Sequence, residues 1–140
     1  MLTLPPLPYD LNDPLEQGGL LLGTLTPDGA TVHRLTGPQP DDDRGTHHIS
    51  MTGEGHRQAA AQAVGEGLTY LGYWHSHPAG TPFAPSDVDL TDFLLAVETM
   101  DADHLYFPII TGGVLRAYRF HRSGQLEEVP WTLQTSTPES

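Results

Sequence analysis

The stretch HSHPAGTPFAPSDVD, residues 75–89, places two histidines, two serines and two aspartates directly after an apolar run. On a strand, side chains two positions apart point to the same face, so His75 and His77 can converge while Ser76 points away. Two imidazoles supply two ligands of a zinc site, and a catalytic zinc site usually takes a third protein ligand and leaves one position for water. The pattern therefore predicts a metal site that needs one more ligand.

Asp89 is the predicted third ligand. Ser86 is typical of a helix N-cap, and Asp89 stands three positions further on, before an apolar run. A helix that begins at Ser86 would direct its first turn, and with it the Asp89 carboxylate, back towards the end of the strand. The same two residues also match a capping box, which explains them without a metal.

Glu16 is the predicted proton carrier. Hydrolysis of an amide at a zinc site also needs a group that takes the proton of the attacking water and hands it to the departing amine. Glu16 stands ahead of the first apolar run, in PLEQGGLLLG. Taken alone, it is better explained as a solvated acid at the end of a strand.

The elements that must position these residues follow from the apolar runs and the turns between them. Residues 18–26 and 31–35 flank Pro27-Asp28-Gly29 and predict a β-hairpin. Further along we expect, in order, a strand over 47–51, a helix over 54–66, a strand over 68–74, a helix from Ser86, and three strands joined by turns at 112–113 and 123–124. This order predicts an α/β fold, with a mixed β-sheet flanked by helices.

The domain boundaries follow from the same pattern. A chain of 140 residues suits one domain. Prolines at positions 5, 6, 8 and 14 predict an irregular N-terminal segment, residues 1–13. We expect the domain to occupy residues 14–131 and a polar tail to follow it, residues 132–140.

The other histidines lack a partner at ligand spacing in the sequence. His47 and His48 are adjacent, so on a strand they would face opposite sides and cannot form a His-x-His pair. The remaining four are predicted to lie at the surface: His33, His56, His104 and His121.

The composition narrows the possible partners. Six Lys plus Arg against eighteen Asp plus Glu give a formal net charge of −12 and a pI near 4.7. Binding to nucleic acid or to an anionic membrane needs cations, so neither is an expected partner. The sequence has no apolar stretch of membrane-spanning length, no signal-peptide features and no cysteine. We therefore expect a cytoplasmic protein in which nitrogen and oxygen atoms hold any metal.

The residues together resemble a family. Glu16 before GGLLLG, then HSHP at 75–78 and PSDVD at 85–89, is similar to the signature of the JAMM (MPN-plus) metallopeptidases. The resemblance runs from about residue 14 to residue 131. It implies that His75, His77 and Asp89 hold one catalytic Zn²⁺, that Glu16 is the general acid/base, and that Ser86 stabilises the oxyanion. It also implies a mixed sheet flanked by helices, similar to that of the cytidine deaminases.

Two features depart from the family pattern. The segment between His77 and Ser86, PAGTPFAP, is one residue longer than in many relatives. The N-terminal helix that usually precedes the glutamate is nearly absent. Neither departure touches a residue of the signature, although the rim of the site is expected to differ.

The resemblance also implies a substrate class. Members that act on proteins cut the bond after the Gly-Gly end of ubiquitin or of a ubiquitin-like protein. The chain has no room for long insertions, so the expected substrate is a small ubiquitin-like or sulfur-carrier protein, cleaved at a peptide or isopeptide bond. The alternative is a non-catalytic MPN-type scaffold or assembly domain. A nucleoside-type zinc hydrolase is disfavoured because the deaminases use cysteine ligands. The oligomeric state is not predicted.

Overall fold

The computed structural model describes residues 1–40, 42–45, 49–51, 53–78 and 84–134, as a mixed β-sheet with two α-helices. The helices are α1 (Glu54–Gly65) and α2 (Asp87–Thr99). The strands, in chain order, are β1 (Leu2–Leu4), β2 (Gly18–Thr26), β3 (Gly29–Leu35), β4 (Asp43–Arg44), β5 (Ile49–Ser50), β6 (Thr69–Ser76), β7 (His104–Thr111), β8 (Val114–His121), β9 (Leu126–Val129) and β10 (Trp131–Leu133).

Eight of these strands form one sheet, in the order β10-β1-β3-β2-β6-β7-β8-β9. Strand β6 lies near its middle, antiparallel to β2 and parallel to β7, and the connection from β6 to β7 runs through α2. Only Pro130 separates β9 from β10, so the two edge strands are neighbours in sequence and the sheet must curl to bring its edges together. The predicted α/β fold with a mixed sheet is confirmed.

Two apolar clusters lie on the sheet, and one of them joins α2 to it. The first covers one face of the sheet around Leu21, Trp74 and Tyr106. The second joins α2 to the opposite face, where the Phe93 ring stacks on Phe107 with centroids 3.9 Å apart and planes 7° from parallel. Because His75 follows Trp74 and precedes the end of β6, the two clusters fix the histidine-bearing strand from both sides.

The prediction that residues 1–13 are irregular is wrong for Leu2–Leu4. These residues form β1, which pairs in parallel with both β3 and β10. Leu2 and Leu4 are 0% exposed and belong to the first cluster. A three-residue strand is too short to show a reliable alternation, and both of its partners are distant in sequence, so local patterning could not detect it.

The C-terminal boundary also shifts. Thr132 and Leu133, assigned to a polar tail, belong to β10 and pair with β1. Residues 135–140 of that predicted tail lie outside the described residues. Within the described part of the chain, neither helix is long and apolar enough to cross a membrane.

Candidate metal centre

His75 and His77 lie at the end of β6, on the face that packs against α2. Their ring centroids are 5.1 Å apart, and the His75 ring meets Phe93 of α2 edge-on at 6.1 Å. In the sheet, His75 pairs with Gly18 of β2 and Ile109 of β7. Both histidines are buried. The strand therefore presents two imidazoles side by side at the centre of the sheet, as the His-x-His spacing predicts.

Asp89 reaches the histidines from the first turn of α2. Ser86 is the N-cap, and the capping box is complete: the Ser86 hydroxyl accepts the Asp89 N–H at 3.1 Å, and Oδ2 of Asp89 accepts the Ser86 N–H at 2.9 Å. The cap fixes the orientation of the Asp89 side chain. The two explanations of the Ser-x-x-Asp pattern, a cap and a ligand for a metal, are thus compatible in one geometry.

The three side chains converge to form a group that could hold a metal ion. Nε2 of His75 lies 3.3 Å from Nε2 of His77 and 3.1 Å from Oδ1 of Asp89, and Nε2 of His77 lies 2.9 Å from Oδ2 of Asp89. Atoms bonded to zinc at roughly 2.0–2.1 Å in a tetrahedron lie about 3.3 Å from one another. The spacing and the donor types both fit such an ion.

The electrostatics favour an ionised carboxylate in this group. Burial opposes the charge on Asp89, but hydrogen bonds from His75 and His77, together with the Ser86 N–H, outweigh it and lower the pKa of the carboxyl. Metal binding requires deprotonated ligands. Asp89 is therefore held in the form that a cation needs.

Glu16 faces the group from the neighbouring strand. Continuing the antiparallel register of Gly18 with His75 places Glu16 opposite His77, on the same face. Its side chain is 4% exposed, and Oε1 has no hydrogen-bond partner among the described residues. Burial, followed by the charge of Asp89, raises the pKa of Glu16 to about 7. A buried carboxyl with an unused oxygen is unusual in a folded protein and indicates a functional group.

Ser86 lies at the mouth of the same site and is exposed. Its oxygen accepts the Asp89 N–H, and a hydroxyl retains one O–H that can donate to another group. The structure thus brings all five predicted site residues to one end of β6. His47 and His48 lie outside the described residues.

The prediction that His56 lies at the surface is wrong. It is 1% exposed, with Nδ1 at 2.7 Å from Oγ1 of Thr36 and Nε2 at 2.8 Å from Oδ1 of Asp42. The helical period contained the signal, because His56 stands seven residues before Ala63 and so shares the buried face of α1. This contact ties the loop after β3 to α1, away from the metal group.

An apolar groove of about 560 Å³ opens beside the candidate metal centre, between α2 and β5. Leu20, Met51, Tyr73 and Leu95 contribute to its walls, and Asp92, one turn after Asp89, adds a carboxylate. Tyr73 also lies 6.1 Å from His75, ring centroid to ring centroid. Tyr73 is therefore shared between the wall of the groove and the surroundings of His75.

Comparisons with known proteins place this arrangement in a family. The model of the family described as prokaryotic homologs of the JAB domain matches residues 10–122. A curated relative, the CD-NTase/cGAS isopeptidase of Escherichia coli (strain TW11681), is 27% identical over 85 residues, which are 59% of this chain and 54% of the relative. The chain thus spans about half the length of that relative.

One solved structure shares the fold over nearly the whole chain. The solution structure of protein DSY2949 from Desulfitobacterium hafniense superposes with a TM-score of 0.69 at 26% identity, covering 97% of this chain and 94% of the other. AF2198, a JAB1/MPN domain protein from Archaeoglobus fulgidus, gives a TM-score of 0.44 at 19% identity over 86% of this chain and 77% of the other. Since the family model covers most of the sequence, this chain belongs to the family of prokaryotic homologs of the JAB domain.

Proposed function

We propose that the protein is a zinc-dependent hydrolase that cleaves the peptide or isopeptide bond after the C-terminal Gly-Gly of a small ubiquitin-like or sulfur-carrier protein. The observation that carries the proposal is the buried group of His75, His77 and Asp89 with the unpaired carboxyl oxygen of Glu16 beside it. A scaffold without catalytic activity would have no use for a buried carboxyl in that state.

Zinc is the ion that the donor set favours. Two imidazole nitrogens and one carboxylate oxygen form a usual catalytic zinc set of three protein ligands. Calcium and magnesium prefer six or more oxygen atoms, which this group does not offer. When bound there, zinc would supply Lewis-acid chemistry, which activates water and polarises a carbonyl group.

The chain's own residues would move the protons. A carboxyl whose pKa lies about 7 can both accept and release a proton near neutral pH. Glu16 would take the proton of the attacking water and transfer it to the nitrogen of the departing amine. The free O–H of Ser86 would donate to the oxygen on which negative charge develops. In this mechanism the chain forms no covalent bond to the substrate.

Two observations support a protein substrate. The E. coli relative is named as an isopeptidase, which suggests hydrolysis of an amide bond at a protein C-terminus or side chain. An apolar groove of about 560 Å³ lies beside the site, and glycines suit the approach to a buried metal group because they carry no side chain.

The proposal is tested with a small ubiquitin-like protein that ends in Gly-Gly. It is joined to a reporter by a linear peptide bond in one substrate and to a lysine by an isopeptide bond in the other, and products are identified by mass. We expect cleavage after Gly-Gly, loss of cleavage after chelation, and its return with added zinc. A matched substrate with Ala-Ala in place of Gly-Gly should not be cleaved. A protein loaded with zinc that cleaves neither Gly-Gly substrate would contradict the proposal.

A further inference from the structure

The backbone around Glu16 is held on one side by the segment that contains β4. Glu16 precedes the first residue of β2, so strand pairing alone does not fix it. Its N–H donates to the carbonyl oxygen of Gly45 at 2.8 Å, and its own carbonyl oxygen accepts from Nε of Arg44 at 2.7 Å. The other arm of the same guanidinium pairs with Asp13 and lowers the pKa of that carboxyl. Arg44 therefore braces both ends of the segment from Asp13 to Glu16.

On the other side, the backbone is held by the residue between the two histidines. The Ser76 hydroxyl accepts the N–H of Gln17 at 2.8 Å, and the Ser76 N–H donates to the carbonyl oxygen of Gln17 at 2.8 Å. Both residues are buried. Ser76 points away from the metal group, as strand alternation requires, and ties the residue after Glu16 to the strand that carries His75 and His77.

Four successive backbone polar groups, the N–H and C=O of Glu16 and of Gln17, are thus bonded to Arg44, Gly45 and Ser76. Oε1 of the Glu16 carboxyl has no partner among the described residues, so the backbone anchoring fixes the point from which this side chain extends towards the histidines. We propose that Arg44 and Ser76 are positioning residues that hold the Glu16 carboxyl in register with His75 and His77. The inference rests on the proposed function for its effect on rate, but the anchoring itself can be measured independently.

A comparison with a second arginine distinguishes the positioning of Glu16 from a general contribution to the stability of the fold. Arg34 also joins two elements, β3 and α1, through an ion pair with Glu66. That pair is near half-exposed, and among the described residues Arg34 makes no hydrogen bond or ion pair with the Glu16 segment. Arg34→Ala is therefore the matched control for Arg44→Ala. For Ser76→Ala the control is Thr36→Ala, which removes another buried hydroxyl that accepts an N–H from β2, that of Leu20, together with its bond to His56.

The kinetic test measures kcat, KM and bound zinc for these variants. We expect Arg44→Ala and Ser76→Ala to lower kcat by about 10-fold to 100-fold, with KM and zinc content nearly unchanged, because a small displacement of a catalytic group is costly. Arg44→Lys should recover part of the loss, since it keeps the charge but not the fork of donors. The controls should keep the wild-type kcat. Equal losses in the controls would overturn the proposal.

A double-mutant cycle tests whether Arg44 acts through Glu16. If Arg44 acts through Glu16, Arg44→Ala should change the residual rate of Glu16→Gln by less than about two-fold. A full additional loss in that background would show that Arg44 acts elsewhere, and the proposal would fail.

Amide hydrogen exchange tests the anchoring without reference to activity. Loss of one hydrogen bond is worth about a factor of ten in local opening. In the metal-free protein, Ser76→Ala removes the acceptor of the Gln17 amide and should speed its exchange by about 10-fold. Arg44→Ala removes the bond to the Glu16 carbonyl oxygen and loosens the segment whose Gly45 carbonyl accepts the Glu16 amide, so exchange of that amide should also become faster, whereas Arg34→Ala should change neither. If the wild type cleaves no substrate but the amides respond in this way, the proposed function fails and the anchoring stands. Unchanged exchange in both variants would refute the anchoring itself.

Discussion

Oδ2 of Asp89 lies 2.9 Å from Nε2 of His77, and the same oxygen accepts the backbone N–H of Ser86. One carboxylate thus completes the cap of α2 and faces the histidines of β6. The capping bond fixes the rotamer of Asp89 before any ion arrives, so the group is organised by the fold. Preorganisation of this kind reduces the entropy lost when a metal binds.

Replacement of His77 should abolish tight metal binding. His77→Ala removes one of three donors, and we expect bound zinc to fall from about one ion per chain to a small fraction, because two ligands hold zinc poorly. Elemental analysis of the purified protein measures this. His33→Ala is the control, since His33 is exposed and contacts Thr24 rather than the metal group. Full zinc content in His77→Ala, or a wild type that binds none, would contradict the assignment.

Replacement of Glu16 should separate binding from chemistry. Glu16→Gln keeps the shape of the side chain but cannot carry the proton, so we expect kcat to fall by about 100-fold or more while zinc remains bound. Turnover of a Gly-Gly fusion and elemental analysis are measured on the same preparation. An active Glu16→Gln protein would remove Glu16 from the mechanism.

The raised pKa of Glu16 predicts how the stability of the metal-free protein depends on pH. Burial favours the neutral carboxyl in the folded state, so the contribution of Glu16 to stability is fully present below the unfolded value near 4.5 and is lost as the pH rises through about 7. Asp89 does not mask this trend, because its lowered pKa adds stability that is already complete above about pH 5.

The effect of Glu16→Gln on the free energy of unfolding of the chelated protein should therefore be more favourable at pH 8 than at pH 5. The difference between the two effects should be about 2 kcal/mol. Urea denaturation at the two pH values, in the presence of a chelator, measures the difference. A Glu16→Gln effect on the free energy of unfolding that is the same at both pH values would be inconsistent with a buried carboxyl of raised pKa.

Two substitutions of Ser86 distinguish its cap from its hydroxyl. Ser86→Ala should cost about 1 kcal/mol of stability, whereas Ser86→Gly should cost only a few tenths, because glycine is an acceptable N-cap. If the hydroxyl stabilises the developing oxyanion, both variants should lose kcat to a similar extent, by about 10-fold to 100-fold. Activity that follows stability across the two variants would instead assign Ser86 to the cap alone.

The first strand should be essential to the fold. Leu4 is fully buried between β3 and β10, so Leu4→Ala should lower the free energy of unfolding by about 2–5 kcal/mol. Leu11→Ala, at an exposed position in the following segment, should change it little. Chemical denaturation measures both. A negligible effect of Leu4→Ala on the free energy of unfolding would mean that β1 does not contribute to the hydrophobic core.

Much of the candidate site could be predicted from the sequence because its geometry is local. The alternation of β6 alone puts His75 and His77 on one face, and the capping box alone starts α2 at Ser86. The hairpin of β2 and β3 follows from the turn chemistry at Pro27-Asp28-Gly29. These features depend on neighbours within a few residues, where period and propensity decide.

Other features depend on contacts between distant segments, and only the tertiary structure decided them. The pairing of β1 with β10, the bond of His56 to Asp42, and the anchoring of Glu16 by Arg44 and Ser76 each join residues that local patterning cannot relate. The same holds for the burial of Glu16, since a lone acid before a strand is usually solvated. The sequence by itself determined which side chains could do the chemistry. The packing of the sheet determined how close together they lie. It also determined the pKa values of Glu16 and Asp89, because these values depend on burial and on charges brought near from elsewhere in the chain.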